Sequence, residues 1–208
     1  HMSEYVGAYA QRLAWLTGFQ GSAGSAVVLP QEAAIFTDGR YTLQVREQVD
    51  GAHWAYVGVP ETSIADWLAR HAPEGARIGY DPWLHTRDWV EQATAALAAR
   101  GATLVAVGRN PIDAVWADQP EPSDAKLGVQ PDDLAGRSSA DKRHQIADWL
   151  AAEKADAVVL SALDSIAWTF NIRGQDVAHT PVALAYAIVH ADATADLFVS
   201  AEKITDEV

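Results

Sequence analysis

Asp38-Gly39-Arg40-Tyr41 is the run whose residue types and spacing most readily do chemistry. Asp38 is placed to cap a helix over residues 40–49, whose apolar positions Tyr41, Val45 and Val49 recur at four. That cap sets Arg40 in the first helical turn, where the helix dipole disfavours a cation by about 0.3–1 kcal/mol. A guanidinium kept there suits the gripping of carboxylate or carbonyl oxygens. The residues support equally well a local ion pair with Asp38 or a solvated side chain.

The other candidates read as structure. Gly18, Gly21 and Gly24 in GFQGSAG lead into a strand rather than a helix N-terminus, and no Lys-Ser/Thr follows, so this is not a phosphate loop. Gln20 stands where a nucleophile elbow needs glycine two before Ser22. These glycines read as tight turns with closely packed backbone. Seven histidines are scattered with no pair at i, i+4, Asp132–Asp133 reads as solvated, and cysteine is absent. A metal site built from this chain, a disulfide and a thiol nucleophile are therefore not expected. Trp15, Trp67, Trp89, Trp149 and Trp168 read as core residues, and Trp54 and Trp116 as the better candidates for a contact surface. Arg173 and His179 flank a second glycine loop and are expected to tie it to the strand behind.

Alternating elements must position these residues. A loop over the first residues leads into a short helix ending near 17, and strands at 25–29 and 33–36 join through a tight turn at Pro30–Gln31. Strands at 54–57, 77–80 and 103–107 then alternate with helices at 63–71 and 86–100, and 111–116 adds a helical turn. After a Pro-, Gly- and acid-rich stretch come a helix (140–154), a strand (157–160), a helix (165–170) and strands at 184–189 and 195–199. The expected class is α/β, a mixed sheet flanked by helices.

Composition narrows the partners. The 208 residues carry a net charge of −13 with no basic run, against nucleic acid and anionic membranes. No stretch approaches the ~20 apolar residues that span a bilayer. A soluble, cytoplasmic protein is expected.

An internal repeat organises the chain. RLAWLTGFQG at 12–21 matches SIAWTFNIRG at 165–174, and each is followed by a strand pair, SAVVL with AAIF and LAYAIV with ADLFV. The expected organisation is a first domain over 1–117, a linker over 118–138 and the start of a related second domain over 139–208. The second copy has a helix and strand ahead of its tryptophan that the first copy lacks, and the first continues where the second stops. The sequence therefore reads as trimmed at both ends relative to its own repeat, with raw sheet edges expected.

HMSEY, WLTGFQGSAG, FTDGRYTLQ, SALDSIAWTFNIRG and HTPVALAYAIV strongly resemble the cytosolic, three-domain Xaa-Pro aminopeptidases, from residue 1 to about 199. His1-Met2 is either native to that pattern or a cloning remnant. The resemblance implies two related creatinase-type domains, the second incomplete here, ahead of a C-terminal catalytic domain. It implies hydrolysis of the first peptide bond where proline is second, using two divalent ions, usually manganese. Such an ion pair binds a bridging hydroxide and stabilises the tetrahedral intermediate. The family's metal ligands lie in its catalytic domain and their motifs are absent here, so no cofactor and no hydrolysis are expected of this segment alone. The resemblance further implies that Arg40, with Tyr41 beside it, contacts proline-containing peptides, and that the first domain restricts substrate length. It implies a homodimeric parent whose catalytic domain is this segment's partner. The alternative is a stand-alone, non-enzymatic peptide-binding or scaffold module derived from that family.

Overall fold

The hairpin closed by Pro30 and Gln31 organises the first unit, Gln11–Gln119. The computed structural model describes residues 3–208, and His1 and Met2 lie outside them. Helix α1 (Arg12–Thr17) ends on Gly18, whose φ of 83° is the left-handed cap that glycine adopts without strain. Strands β1 (Gly24–Val28) and β2 (Ala33–Thr37) pair antiparallel, with Val28 opposite Ala33. Helix α2 (Gln44–Gln48) leads to β3 (Ala55–Gly58), which pairs parallel with β2. Beyond α3 (Ile64–His71), β4 (Arg77–Tyr80) and β5 (Thr103–Ala106) form a separate parallel pair joined by α4 (Arg87–Ala98). The short α5 (Pro111–Val115) closes the unit.

Alternation along β2 explains why helices cover both faces. Ala34 and Phe36 join Trp67 and Leu68 of α3 and Leu97 of α4 in one core. Ile35 points the other way, to Phe19 and to Val45 and Val49 in and just after α2. Phe36 meets Trp67 edge-to-face at 5.8 Å. Ser63 and Thr86 fix the starts of α3 and α4 by accepting the backbone N–H three residues on.

The second unit comprises Ser3–Ala10 and Pro120–Val208. Its strand β6 (Gly128–Val129) precedes helices α6 (Asp132–Ala135) and α7 (Ser139–Glu153), then β7 (Ala157–Leu160), α8 (Leu163–Phe170), β8 (Ile172–Arg173), β9 (Tyr186–His190) and β10 (Ala195–Phe198). The sheet order is β10–β9–β7, antiparallel throughout, and β6 pairs with β8. Leu160, Ala187 and Leu197 share one face with Ile166 of α8 in the core, while Val159, Tyr186 and Phe198 are exposed on the other. Within 118–138, read from sequence as a linker, Leu127 is only 3% exposed and packs in this core, and β6 and α6 lie here too. The two-residue β6 and four-residue α6 are too short to leave a periodic signal.

Candidate functional site

The chain leaves β2 at Thr37 and enters a single 3-10 turn, Gly39–Tyr41, with Asp38 as its cap. The Asp38 carboxylate accepts the Arg40 backbone N–H at 3.0 Å. Arg40 folds back on it: Nε donates to Oδ1 at 3.0 Å and Nη2 to Oδ2 at 2.8 Å. The guanidinium also lies 5.2 Å from the Tyr41 ring centroid. Arg40 stays 62% exposed, Asp38 29%. The Arg40 side chain and then its backbone N–H hold Asp38 below the ordinary carboxylate value. The helix expected over 40–49 is thus two pieces, because Tyr41 N–H closes on Asp38 O at 3.0 Å in an i+3 bond before α2 begins. Arg40 therefore sits in a single turn with little aligned dipole, and the ion pair orients it instead.

Tyr41 has a different task. Its hydroxyl accepts the Ser22 backbone N–H at 3.2 Å and shares a 2.8 Å hydrogen bond with Ser22 Oγ. Its ring meets Phe19 edge-to-face at 5.5 Å. Gly21 is squeezed between them: a Cβ there would lie 2.3 Å from Phe19 Cζ and 2.8 Å from Tyr41 Cδ1. Tyr41 therefore clamps the glycine loop to the turn that carries Arg40.

Beyond the C-terminal ends of the parallel strands β2 and β3 lies a cavity of about 560 Å³, lined among others by Asp38, Gly39, Arg46, Glu61 and Arg70. Crevices outside the carboxyl ends of parallel strands are where such sheets receive ligands. Arg46 lies over the Tyr56 ring at 5.1 Å, and Arg70 Nε donates to Asp66 O at 3.1 Å. Sequence reasoning missed both arginines: Arg46 lies on α2, directly after the DGRY turn, whereas Arg70 lies on α3 beyond β3, where spacing does not link it to that turn.

The remaining candidates are structural or elsewhere. Arg173 donates to Ala167 O at 3.2 Å and Ile172 O at 2.8 Å, tying α8 to β8, while His179 adopts a φ of 58°. Trp67 is buried, but Trp15, Trp149 and Trp168 are exposed, against the core role expected of them. Trp15 instead stacks on half-buried Trp116 at 5.6 Å, and Trp168 carries Lys142 Nζ 4.5 Å from its ring centroid. Trp54, proposed for a contact surface, packs half-buried beside Val45 and Val49. Among the described residues no three His, Asp or Glu side chains gather to hold a metal ion, so the donor set does not fit a dinuclear centre. No helix among them is long and apolar enough to cross a membrane.

The family model of the creatinase/prolidase N-terminal domain matches residues 6–115, and a second model of the same description matches 118–208. The chain belongs to the creatinase/prolidase N-terminal domain family. It carries two such domains in tandem, a mixed α/β fold with sheets flanked by helices. Aminopeptidase P1 of Lotus japonicus is 39% identical over 209 residues, covering all of this chain and 32% of that protein. A probable Xaa-Pro aminopeptidase P of Aspergillus clavatus is 39% identical over 212 residues with the same coverage. The solved X-prolyl aminopeptidase of Caenorhabditis elegans, described as a cytosolic enzyme with a di-nuclear active site, superposes with a TM-score of 0.87 at 33% identity. That match covers 99% of this chain and 34% of the enzyme. The tandem creatinase domains thus correspond to the N-terminal third of Xaa-Pro aminopeptidases.

Proposed function

We propose that these tandem domains are the non-catalytic, substrate-restricting portion of a cytoplasmic, metal-dependent Xaa-Pro aminopeptidase, and that Arg40 contacts the bound peptide. The observation that carries the reading is the Asp38–Arg40 pair. Two hydrogen bonds of 3.0 and 2.8 Å fix the direction of an arginine that remains largely solvent-exposed. A pre-oriented guanidinium loses less side-chain freedom on meeting a carboxylate or carbonyl oxygen, so more of the contact is realised as binding. Peptides with proline second are the proposed substrates, two divalent ions, manganese in this reading, belong to the catalytic domain of the parent, and the parent is a homodimer.

The test is Arg40→Ala in the full-length enzyme, assayed on Xaa-Pro-Pro peptides with manganese. The expected result is a roughly tenfold lower kcat/KM, the loss of about 1.4 kcal/mol of interaction, at unchanged melting temperature. Unchanged kinetics would remove Arg40 from the substrate. In the same assay the 208-residue chain alone is expected to be inactive; turnover by it would overturn the non-catalytic reading.

A further inference from the structure

Asp38-Gly39 and Asp50-Gly51 are the two Asp-Gly steps of the sequence. Such a step carries its own reaction. With no Cβ on the second residue, its main-chain nitrogen approaches the preceding carboxyl carbon unhindered. The nitrogen adds to Cγ, the carboxyl hydroxyl leaves as water with the amide proton, and a five-membered succinimide closes. Water then reopens the ring at either carbonyl, restoring aspartate or leaving an isoaspartate joined through its side chain. No oxidant, reductant or other reactant is needed. An ionised carboxylate resists the attack, so a cation that favours the charged form protects the step.

Geometry separates the two steps. Both carboxylates accept the main-chain N–H two residues on, Asp38 Oδ1 from Arg40 at 3.0 Å and Asp50 Oδ1 from Ala52 at 2.8 Å. There the likeness ends. Arg40 adds Nε to Oδ1 at 3.0 Å and Nη2 to Oδ2 at 2.8 Å, so one planar fork grips both oxygens of Asp38. The fork keeps that carboxyl charged and fixes its rotation. Among the described residues the only basic side chain within 4 Å of the Asp50 carboxylate is His53, with Nε2 3.9 Å from Oδ2. The Asp50 side chain is 67% exposed, that of Asp38 29%.

The fold also retains the glycine that makes Asp50 labile. Asp50 O accepts the N–H groups of His53 and Trp54, both at 3.1 Å, in the turn between α2 and β3. A Cβ on Gly51 would lie 2.8 Å from the Tyr56 hydroxyl, which is fixed by donating to Val49 O at 2.6 Å. The turn therefore needs glycine at 51, and the reactive step comes with it.

We propose that Asp50 is a site of spontaneous isoaspartate formation in this protein, and that the Arg40 fork spares Asp38 the same reaction. Arg40 then has a second task, preserving the chemical integrity of the turn that displays it. This role is independent of any contact between Arg40 and a peptide.

The test follows the ring opening. Full-length enzyme is incubated in heavy-oxygen water at neutral pH and physiological temperature. Each opening leaves one heavy oxygen on the residue, whichever carbonyl the water attacks. Arg40 and Arg46 lie between the two steps, so trypsin delivers them in separate peptides for mass spectrometry. The expected result is about ten times more label in the Asp50 peptide than in the Asp38 peptide, the factor that a charge-assisted pair supplies. Endoproteinase Asp-N, which cuts before aspartate but not before isoaspartate, should fail at part of the labelled Asp50. Arg40→Ala is expected to raise the label at Asp38 about tenfold and leave that at Asp50 unchanged, with Arg46 still dividing the peptides. Equal label at the two steps of the parent enzyme, or none at Asp50, would overturn the assignment of Asp50. An Arg40→Ala enzyme with no more label at Asp38 than the parent would overturn the protective role of Arg40.

Discussion

Lys203 Nζ lies 2.5 Å from Asp176 Oδ2, with both side chains withdrawn from solvent. The same oxygen accepts the Leu184 N–H at 2.7 Å, so one carboxylate joins the last 3-10 turn of the chain to the segment entering β9. Asp176 Oδ1 is buried without a hydrogen-bond partner, which makes the lysine the main compensation for the buried charge. Deleting only the cation leaves that charge stranded, at a cost of about 3–5 kcal/mol. Lys203→Met should therefore lower the urea midpoint strongly, and adding Asp176→Asn should recover part of the loss. A Lys203→Met chain as stable as the parent would show that the pair contributes nothing to folding.

Arg12 and Asp113 are 101 residues apart yet meet in two parallel bonds, Nε to Oδ1 at 2.6 Å and Nη2 to Oδ2 at 2.9 Å. The Arg12 side chain, helped by Gln119, holds Asp113 below its ordinary 3.8. The unfolded chain then binds more protons near that pH, so this contribution is complete above about pH 4 and is lost as pH falls through the folded value. With side chains 20% and 24% exposed, the pair is worth about 1 kcal/mol after solvent screening. Asp113→Asn should lower the urea midpoint at pH 7 and match the parent chain at the acid end. A difference that stays constant across that range would assign the loss to packing rather than charge.

Local chemistry was legible and distant pairing was not. β4 at 77–80 and β7 at 157–160 lie where the sequence reading placed them, whereas Ser63, Thr86 and Ser138, not read there as caps, cap the helices they precede. Ser138 sets α7 one residue earlier than the sequence reading. The β6–β8 pair joins residues more than 40 apart, and two-residue strands carry no periodicity. At the candidate site, Asp38 was legible as a cap, but it bonds Arg40 two residues on and tightens the turn into a 3-10 geometry. Tyr41 was legible only as a neighbour of Arg40; its hold on Ser22 depends on the loop returning to it, which spacing does not encode.

Gly21 and Gly39 flank the same assembly but should respond oppositely to an added methyl. A Cβ on Gly21 would strike the buried Phe19 ring, whereas one on Gly39 meets nothing within 4 Å. Overpacking of a fixed core ring costs about 1–3 kcal/mol, and a surface substitution usually stays within about 0.5 kcal/mol. Gly21→Ala should lower the thermal midpoint by several degrees and Gly39→Ala should leave it nearly unchanged. Equal midpoints for the two variants would mean that the loop relaxes around the methyl and that Tyr41 does not clamp it.

Asn171 ends α8 at a φ of 52°, buried, with three side-chain bonds. Its Nδ2 donates to Asp132 Oδ1 and Arg137 O, both at 2.9 Å, and its Oδ1 accepts from Lys142 Nζ at 2.5 Å. Lys142 is itself buried and also donates to Trp168 O at 2.8 Å. Burial lowers its pKa, nearby Arg173 adds to that, and Asp132 opposes it. Asn171→Gly relieves the left-handed backbone but strips the polar partners, while Asn171→Ala does both harms. The alanine variant should lose about 1 kcal/mol more than the glycine variant, and both should lose more than about 2 kcal/mol by urea denaturation. If glycine matched the parent chain, backbone conformation alone would account for asparagine here, and the Asp132–Asn171–Lys142 network would contribute nothing measurable.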